Sequence, residues 1–108
     1  MEITSESIDG AAVARLSGSL DTGTAAAAEE ALSALVESGQ TTIVVDLKDT
    51  DFVSSAGLRI LLATAKKVKP DGELKICGLN PSVLEVFEMS GFSTIFRIFD
   101  NEDAALAG

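Results

Sequence analysis

The alternation of apolar and polar positions changes period several times along the chain, and each change marks an element. Glu2 to Ile8 reads as a short strand, and Asp9-Gly10 is a two-residue hairpin signal. Ala11 to Gly18 follows with Val13 and Leu16 as apolar anchors, so the first two strands are expected to pair antiparallel. Asp21 and Thr22 are helix-start residues. The next stretch, from about Thr24 to Ser38, places Ala25, Ala28, Leu32, Leu35 and Val36 at three- and four-residue spacing, one buried stripe of a helix. Gly39 stands where a helix C-terminus needs a left-handed residue.

Thr42 to Leu47 contains the β-branched run Ile43-Val44-Val45, the pattern of a central strand covered on both faces. Lys48 to Val53 reads as a short loop, and Ser54 and Ser55 open a second helix. Its core stripe is Leu58, Leu61, Leu62, Ala65 and Val68, with Lys66, Lys67 and Lys69 near the negative end of the dipole. Pro70-Asp71-Gly72 predicts a turn and Glu73 to Cys77 a strand. Asn80-Pro81 starts a third helix that runs to about Met89 and ends at Gly91. Ile95 to Phe99 is a last short strand and Glu102 to Leu106 a small terminal helix. Strands alternating with helices through short connections predict an α/β fold. The expected architecture is a mixed sheet of four to five strands with about four helices packed against it. The length, 108 residues, fits one domain spanning 1–108.

Composition narrows the chemistry. There is no histidine, and one cysteine, Cys77, lies in an apolar stretch. Ser-His and Cys-His nucleophilic sites and the common zinc constellations are therefore excluded. No GxxxxGK[ST] loop is present. The aromatics are phenylalanines, most of them between Phe87 and Phe99, a core pattern rather than a base-stacking platform. The net charge of −9 disfavours nucleic acid and anionic membrane partners. A lone cysteine suits a reducing compartment. No basic-then-apolar N-terminal stretch and no apolar run near ~18 residues occurs, so the expected location is the cytoplasm.

The most informative stretch runs from Asp46 to Leu58. A buried strand ends, the chain turns, and two serines stand at a helix N-terminus. Ser55 is placed as the N-cap, where free N–H groups and the dipole would also hold a phosphate. Gly57 in the first turn leaves a side-chain-free spot that another protein's backbone could approach. A serine at a helix start is most often only a cap.

Phe52-Val53-Ser54-Ser55-Ala56-Gly57-Leu58 resembles the signature of STAS domains, whose anti-anti-sigma members carry Asp-Ser-Ser/Thr-Gly-Leu. Leu16 to Asp21 is similar to the family's Gly-x-Leu/Ile-Asp motif after strand two, and Val44-Val45-Asp46-Leu47 to its central strand. Leu79-Asn80-Pro81-Ser82-Val83 and Phe87-Glu88-Met89-Ser90-Gly91 resemble the third helix and its exit. The resemblance covers nearly the whole chain. It departs from the family at Ser54, where the Asp falls, and at Ala56, where the second Ser/Thr falls.

This resemblance implies an anti-sigma factor antagonist that works by partner switching and is not an enzyme. The unphosphorylated protein would bind an anti-sigma factor that is also a serine kinase of the histidine-kinase-like ATPase fold. Phosphorylation at Ser55, with Ser54 as second candidate, would release it, and a metal-dependent serine phosphatase would reset it. ATP and metal belong to those partners, so no cofactor is expected here. Asp21, Ser54, Ala56, Gly57, Arg59 and Ile60 are the expected partner-binding residues. Asp21 is equally readable as a helix cap. Arg59 lies four residues past Ser55 on the same face, and Ile60 lies off the core stripe as an exposed anchor. The free chain is expected to be a monomer. Two readings compete: a non-switching STAS module in a stress-signalling or lipid-transport assembly, and a small enzyme or nucleotide-binding protein using Asp21, Asp46 and Ser55.

Overall fold

Asp9 and Gly10 both take positive φ, 51° and 81°, which is what a tight hairpin between right-twisted strands requires. The turn joins β1 (Glu2–Ile8) to β2 (Ala11–Leu20) in antiparallel register, with Ile8 opposite Ala11. The molecule is a computed structural model that describes residues 1–69 and 71–108; the expected turn at Pro70-Asp71-Gly72 falls partly on Pro70, outside the described residues. After β2 come α1 (Ala25–Glu37), β3 (Thr42–Val53), α2 (Ser55–Val68), β4 (Glu73–Cys77), α3 (Pro81–Met89), β5 (Arg97–Phe99) and α4 (Glu102–Ala107). The sheet order is β1-β2-β3-β4-β5, and every pairing after the first is parallel. The expected mixed sheet with about four helices is therefore the observed one.

Parallel neighbours need crossovers, and here each crossover is a helix. The stripe of α1 buries Ala25, Ala28 and Leu32, with Leu35 and Val36 partly covered. α2 and α3 add Leu58, Leu61, Ala65, Val68, Val83 and Phe87 to the same core, on the sheet face formed by Ala12, Ala14, Ile43, Val45 and Ile76. The other face is thinner. Val13, Val44 and Cys77 are covered there by Ala105 of α4. Two polar contacts hold α4 down. The Arg15 guanidinium donates to both carboxylate oxygens of Glu102, at 2.7 and 2.8 Å, and buried Lys75 Nζ donates to the Ala105 carbonyl at 2.8 Å.

Three sequence expectations need correction. Lys48 to Val53 is not a loop: β3 continues through it to Val53. β2 likewise runs on to Leu20, and the two strands stay paired because two register shifts, at Arg15/Ser17 and Gly18/Ser19, absorb the mismatch. Thr50 turns inward and its hydroxyl donates to the Leu16 carbonyl at 2.8 Å, while Lys48, Asp49, Asp51 and Phe52 face solvent. The last strand is also shorter than expected. A 3-10 turn at Phe92–Thr94 precedes it, leaving Ile95 half exposed and β5 beginning at Arg97.

Candidate functional site

The C-terminal ends of β2 and β3 meet the start of α2. Leu20 pairs with Val53, and the Ser54 N–H donates to the Leu20 carbonyl at 2.9 Å. Ser54 has extended backbone angles (φ −91°, ψ 175°), and its hydroxyl accepts the Gly57 N–H at 3.3 Å. These are the marks of an N-cap. The cap is Ser54 and not Ser55, which corrects the sequence reading by one residue. The cause is the longer β3: its extended backbone carries on to Ser54, and the helix begins only at Ser55.

Ser55 is thereby the first helical residue, and it is exposed. The amides of Ser55 and Ala56 lie in the first turn, where no helical carbonyl reaches them. There is no acidic residue in that turn. The site is electropositive at the backbone level and carries one exposed hydroxyl. Arg59 is exposed one turn later and joins no ion pair among the described residues.

Asp21 follows Leu20 directly and so borders the same rim. Its Oδ1 accepts the N–H groups of Gly23 at 2.9 Å and Thr24 at 3.2 Å, and the Thr24 hydroxyl donates to the Ser19 carbonyl at 2.7 Å. The carboxylate thus shapes the entry to α1 while remaining half-exposed. Ala56 is half-buried against the core.

Two of the expected partner-binding residues are not on the surface. Ile60 is 9% exposed and belongs to the main core. The buried arc of α2 is wider than the stripe read from sequence and takes in Gly57, Ile60 and Thr64, on a helix that packs against α1 as well as the sheet. Gly57 is buried too. A Cβ there would stand 2.8 Å from both Leu20 Cγ and the Leu20 carbonyl oxygen. The space beside the serine is filled by Leu20, so the glycine serves close packing and not the approach of another backbone. Conversely, Phe52 was placed in the motif but given no role. It is 51% exposed, three residues before Ser55, beside Asp51, whose carboxylate accepts the Ser19 hydroxyl at 3.0 Å. An aromatic residue directly after the polar run Lys48-Asp49-Thr50-Asp51 is the available signal.

Asp46 does not join this rim. It lies on the α4 side of the sheet, at the mouth of a cavity of about 570 Å³ also bordered by Lys48, Gly78 and Glu102. Its Oδ1 accepts the Lys48 N–H at 2.9 Å. Burial, and then a hydrogen bond to Glu102, pushes its carboxyl up to about 6. The Arg15 fork holds Glu102 down at about 2. Burial also pushes the Cys77 thiol up to about 12, so it is not a nucleophile at neutral pH. Among the described residues no group of His, Cys, Asp and Glu is arranged to hold a metal ion. The constellation of Asp21, Asp46 and Ser55 that an enzyme would need is not brought together.

Residues 2–105 match the family model described as STAS domain. The chain is 43% identical over 108 residues to BtrV of Bordetella bronchiseptica, a candidate anti-sigma factor antagonist, covering 99% of this chain and 93% of that protein. It is 33% identical over 100 residues to RsfB of Mycobacterium tuberculosis, an anti-sigma-F factor antagonist, covering 93% and 82%. The crystal structure of an anti-sigma factor antagonist from Mycobacterium paratuberculosis superposes with a TM-score of 0.92 at 30% identity, covering 98% of this chain and 91% of that one.

Proposed function

The chain belongs to the STAS domain family, and from that membership we propose that it is an anti-sigma factor antagonist whose binding is switched off by phosphorylation of Ser55. It acts by binding and not by catalysis. The observation that carries the reading is the position of Ser55: an exposed hydroxyl on the first residue of α2, with the capping duty taken by Ser54 behind it. Ser55 is therefore free to be modified without loss of the helix start. The antagonist role named for BtrV and RsfB supports the same reading.

The physics of the switch follows from that position. A phosphate adds about −1.5 to −2 charges at neutral pH. On this chain it would sit at the positive end of α2 with no acid in the first turn, so it does not disrupt the fold. Its effect falls on the partner. Buried in an interface, the group must be desolvated at a cost of several kcal/mol unless cations meet it. Reversing occupancy takes about 5.5 kcal/mol, which one buried phosphate can largely supply. The proposed partner is an anti-sigma factor with serine kinase activity, and a metal-dependent serine phosphatase restores the free hydroxyl. The kinase draws its phosphoryl group from ATP and the phosphatase transfers it to water with its own metal, and both belong to the intracellular side, so the proposal is set in the cytoplasm. Among the described residues, no helix is long and apolar enough to cross a membrane.

Peptide mass spectrometry of the protein from its native cells tests this, with the phosphatase inhibited. A phosphate on Ser55 is expected, and Ser55→Ala should hold the partner permanently in a pull-down while Ser55→Glu releases it. A phosphate confined to Ser54, or none in any growth state, would refute the assignment. The second result would favour a non-switching module.

A further inference from the structure

Beginning two turns along α2 from Ser55, the C-terminal half of α2, the start of β4 and the Ile95–Arg97 segment enclose a groove of about 340 Å³. Leu62, Ala65, Leu74, Ile95 and Phe96 form its apolar wall. That wall is preformed: Phe96 is buried edge-on against Phe87, centroids 6.2 Å apart, and tilted against Phe92 at 6.0 Å. Ile95 is 50% exposed because the 3-10 turn ends beside it and turns Phe96, not Ile95, into the core.

The charge of this groove opposes that of the molecule. Lys66, Lys69 and Arg97 line it, three of the eight Lys and Arg in a chain of net charge −9. Its acid, Glu73, is already held by Arg97 at 3.1 Å. Lys66 and Lys69 join no ion pair among the described residues. An apolar wall with unpaired cations calls for an apolar ligand with a negative end. Its size sits at the lower end of small-ligand sites, about 300–1,000 Å³. A polyanion, an anionic bilayer or an acidic protein would meet repulsion from the rest of the surface. A single charge meets only its neighbours, since remote acids are screened beyond about 8–10 Å at physiological salt.

We propose that this groove binds a single amphipathic carboxylate, an unbranched acyl chain ending in one ionised carboxyl group. The chain lies along Leu62, Ile95 and Phe96, and the carboxylate reaches Lys66 and Lys69. This site is independent of the antagonist reading.

Nitrogen–proton correlation spectra of the full chain, titrated separately with sodium decanoate and decan-1-ol, test it. Decanoate is expected to give saturable shifts at Leu62, Lys66, Ile95 and Phe96, with about tenfold tighter binding than the alcohol. Ile95→Asp should abolish both titrations, and Lys66→Gln with Lys69→Gln should bring the acid down to the level of the alcohol. All three positions are exposed, and unshifted core amides will verify the fold of each variant. No saturable shift up to the solubility limit, equal affinity for acid and alcohol, or shifts indifferent to Ile95→Asp would each overturn the proposal. So would an acidic helical peptide that binds the groove when decanoate does not.

Discussion

Replacing Gly57 by alanine puts one methyl group where the structure has no room. The new Cβ would lie 2.8 Å from Leu20 Cγ, 2.8 Å from the Leu20 carbonyl oxygen and 3.1 Å from Leu20 Cδ2. A rotamer change could relieve the side-chain contacts. It cannot relieve the carbonyl, which is fixed by the ladder to β3 and by the Ser54 N–H at 2.9 Å. Leu20 is fully buried in the main core, so any shift of its side chain must displace packed neighbours. Overpacking of this kind costs about 1–3 kcal/mol. Alanine returns at most about 1 kcal/mol of helix propensity. The net expectation is a loss of about 1–2 kcal/mol, a fall in Tm of about 5–15 °C for a domain of this size.

The chain has no tryptophan or tyrosine, so far-UV circular dichroism in urea and on heating is the suitable readout. Gly23→Ala is the control. Gly23 has no positive φ, and its new Cβ would touch only Asp21 Oδ1 at 3.4 Å, an ordinary contact, so its change should stay within about 0.5 kcal/mol. A Gly57→Ala protein as stable as the parent would refute the packing argument. The same variant separates two roles for the glycine. If it only packs, Gly57→Ala keeps partner affinity at temperatures where it is folded; if it admits a partner's backbone, affinity is lost with the fold intact.

Other expectations follow from the same geometry. Ser54→Ala removes the cap and should cost about 0.5–1 kcal/mol in urea unfolding, whereas Ser55→Ala should stay within about 0.5 kcal/mol, and the reverse order would return the cap to Ser55. Phe52→Ala should leave Tm nearly unchanged but weaken calorimetric binding to the anti-sigma partner by about 2 kcal/mol or more; unchanged affinity would remove Phe52 from the interface. Asp46 binds its proton up to about 6 when folded against an ordinary 3.8, so the folded state holds more protons across that window and stability falls as pH rises through it. Asp46→Asn should flatten that fall and raise stability above pH ~7, and denaturation curves that stay parallel to the parent's from acid to neutral pH would exclude the raised Asp46 carboxyl as its source.

What could be read from the sequence was what neighbouring residues decide. Asp9-Gly10 allows little besides a hairpin, and Asn80-Pro81 opens α3 as expected, with the Asn80 side chain accepting the Val83 N–H at 2.8 Å. The alternation of strand and helix pointed to the mixed sheet, while the order β1-β2-β3-β4-β5 came only with the structure. What escaped was decided from far along the chain. Lys48-Asp49-Thr50-Asp51 has the composition of a loop and is held as a strand by β2, through bonds such as Thr50 to Leu16. Ile60 looked free because a single stripe was assumed, and it is buried because α2 packs against both the sheet and α1, which widens its buried arc.

These failures are linked, and together they place the site. Once β3 is extended to Val53, Ser54 inherits an extended backbone and becomes the cap. The helix then starts at Ser55, whose hydroxyl is left outside the capping bond. The close approach of Leu20 that demands Gly57 is also what anchors the cap, since the same carbonyl that crowds the glycine accepts the Ser54 N–H. A motif that read as two serines and an accommodating glycine is in physical terms a division of labour. Ser54 and Gly57 fix the start of α2 to the end of β2, and that rigid junction presents Ser55 and Phe52 outward. A modification at Ser55 therefore alters the surface and leaves the scaffold as it was.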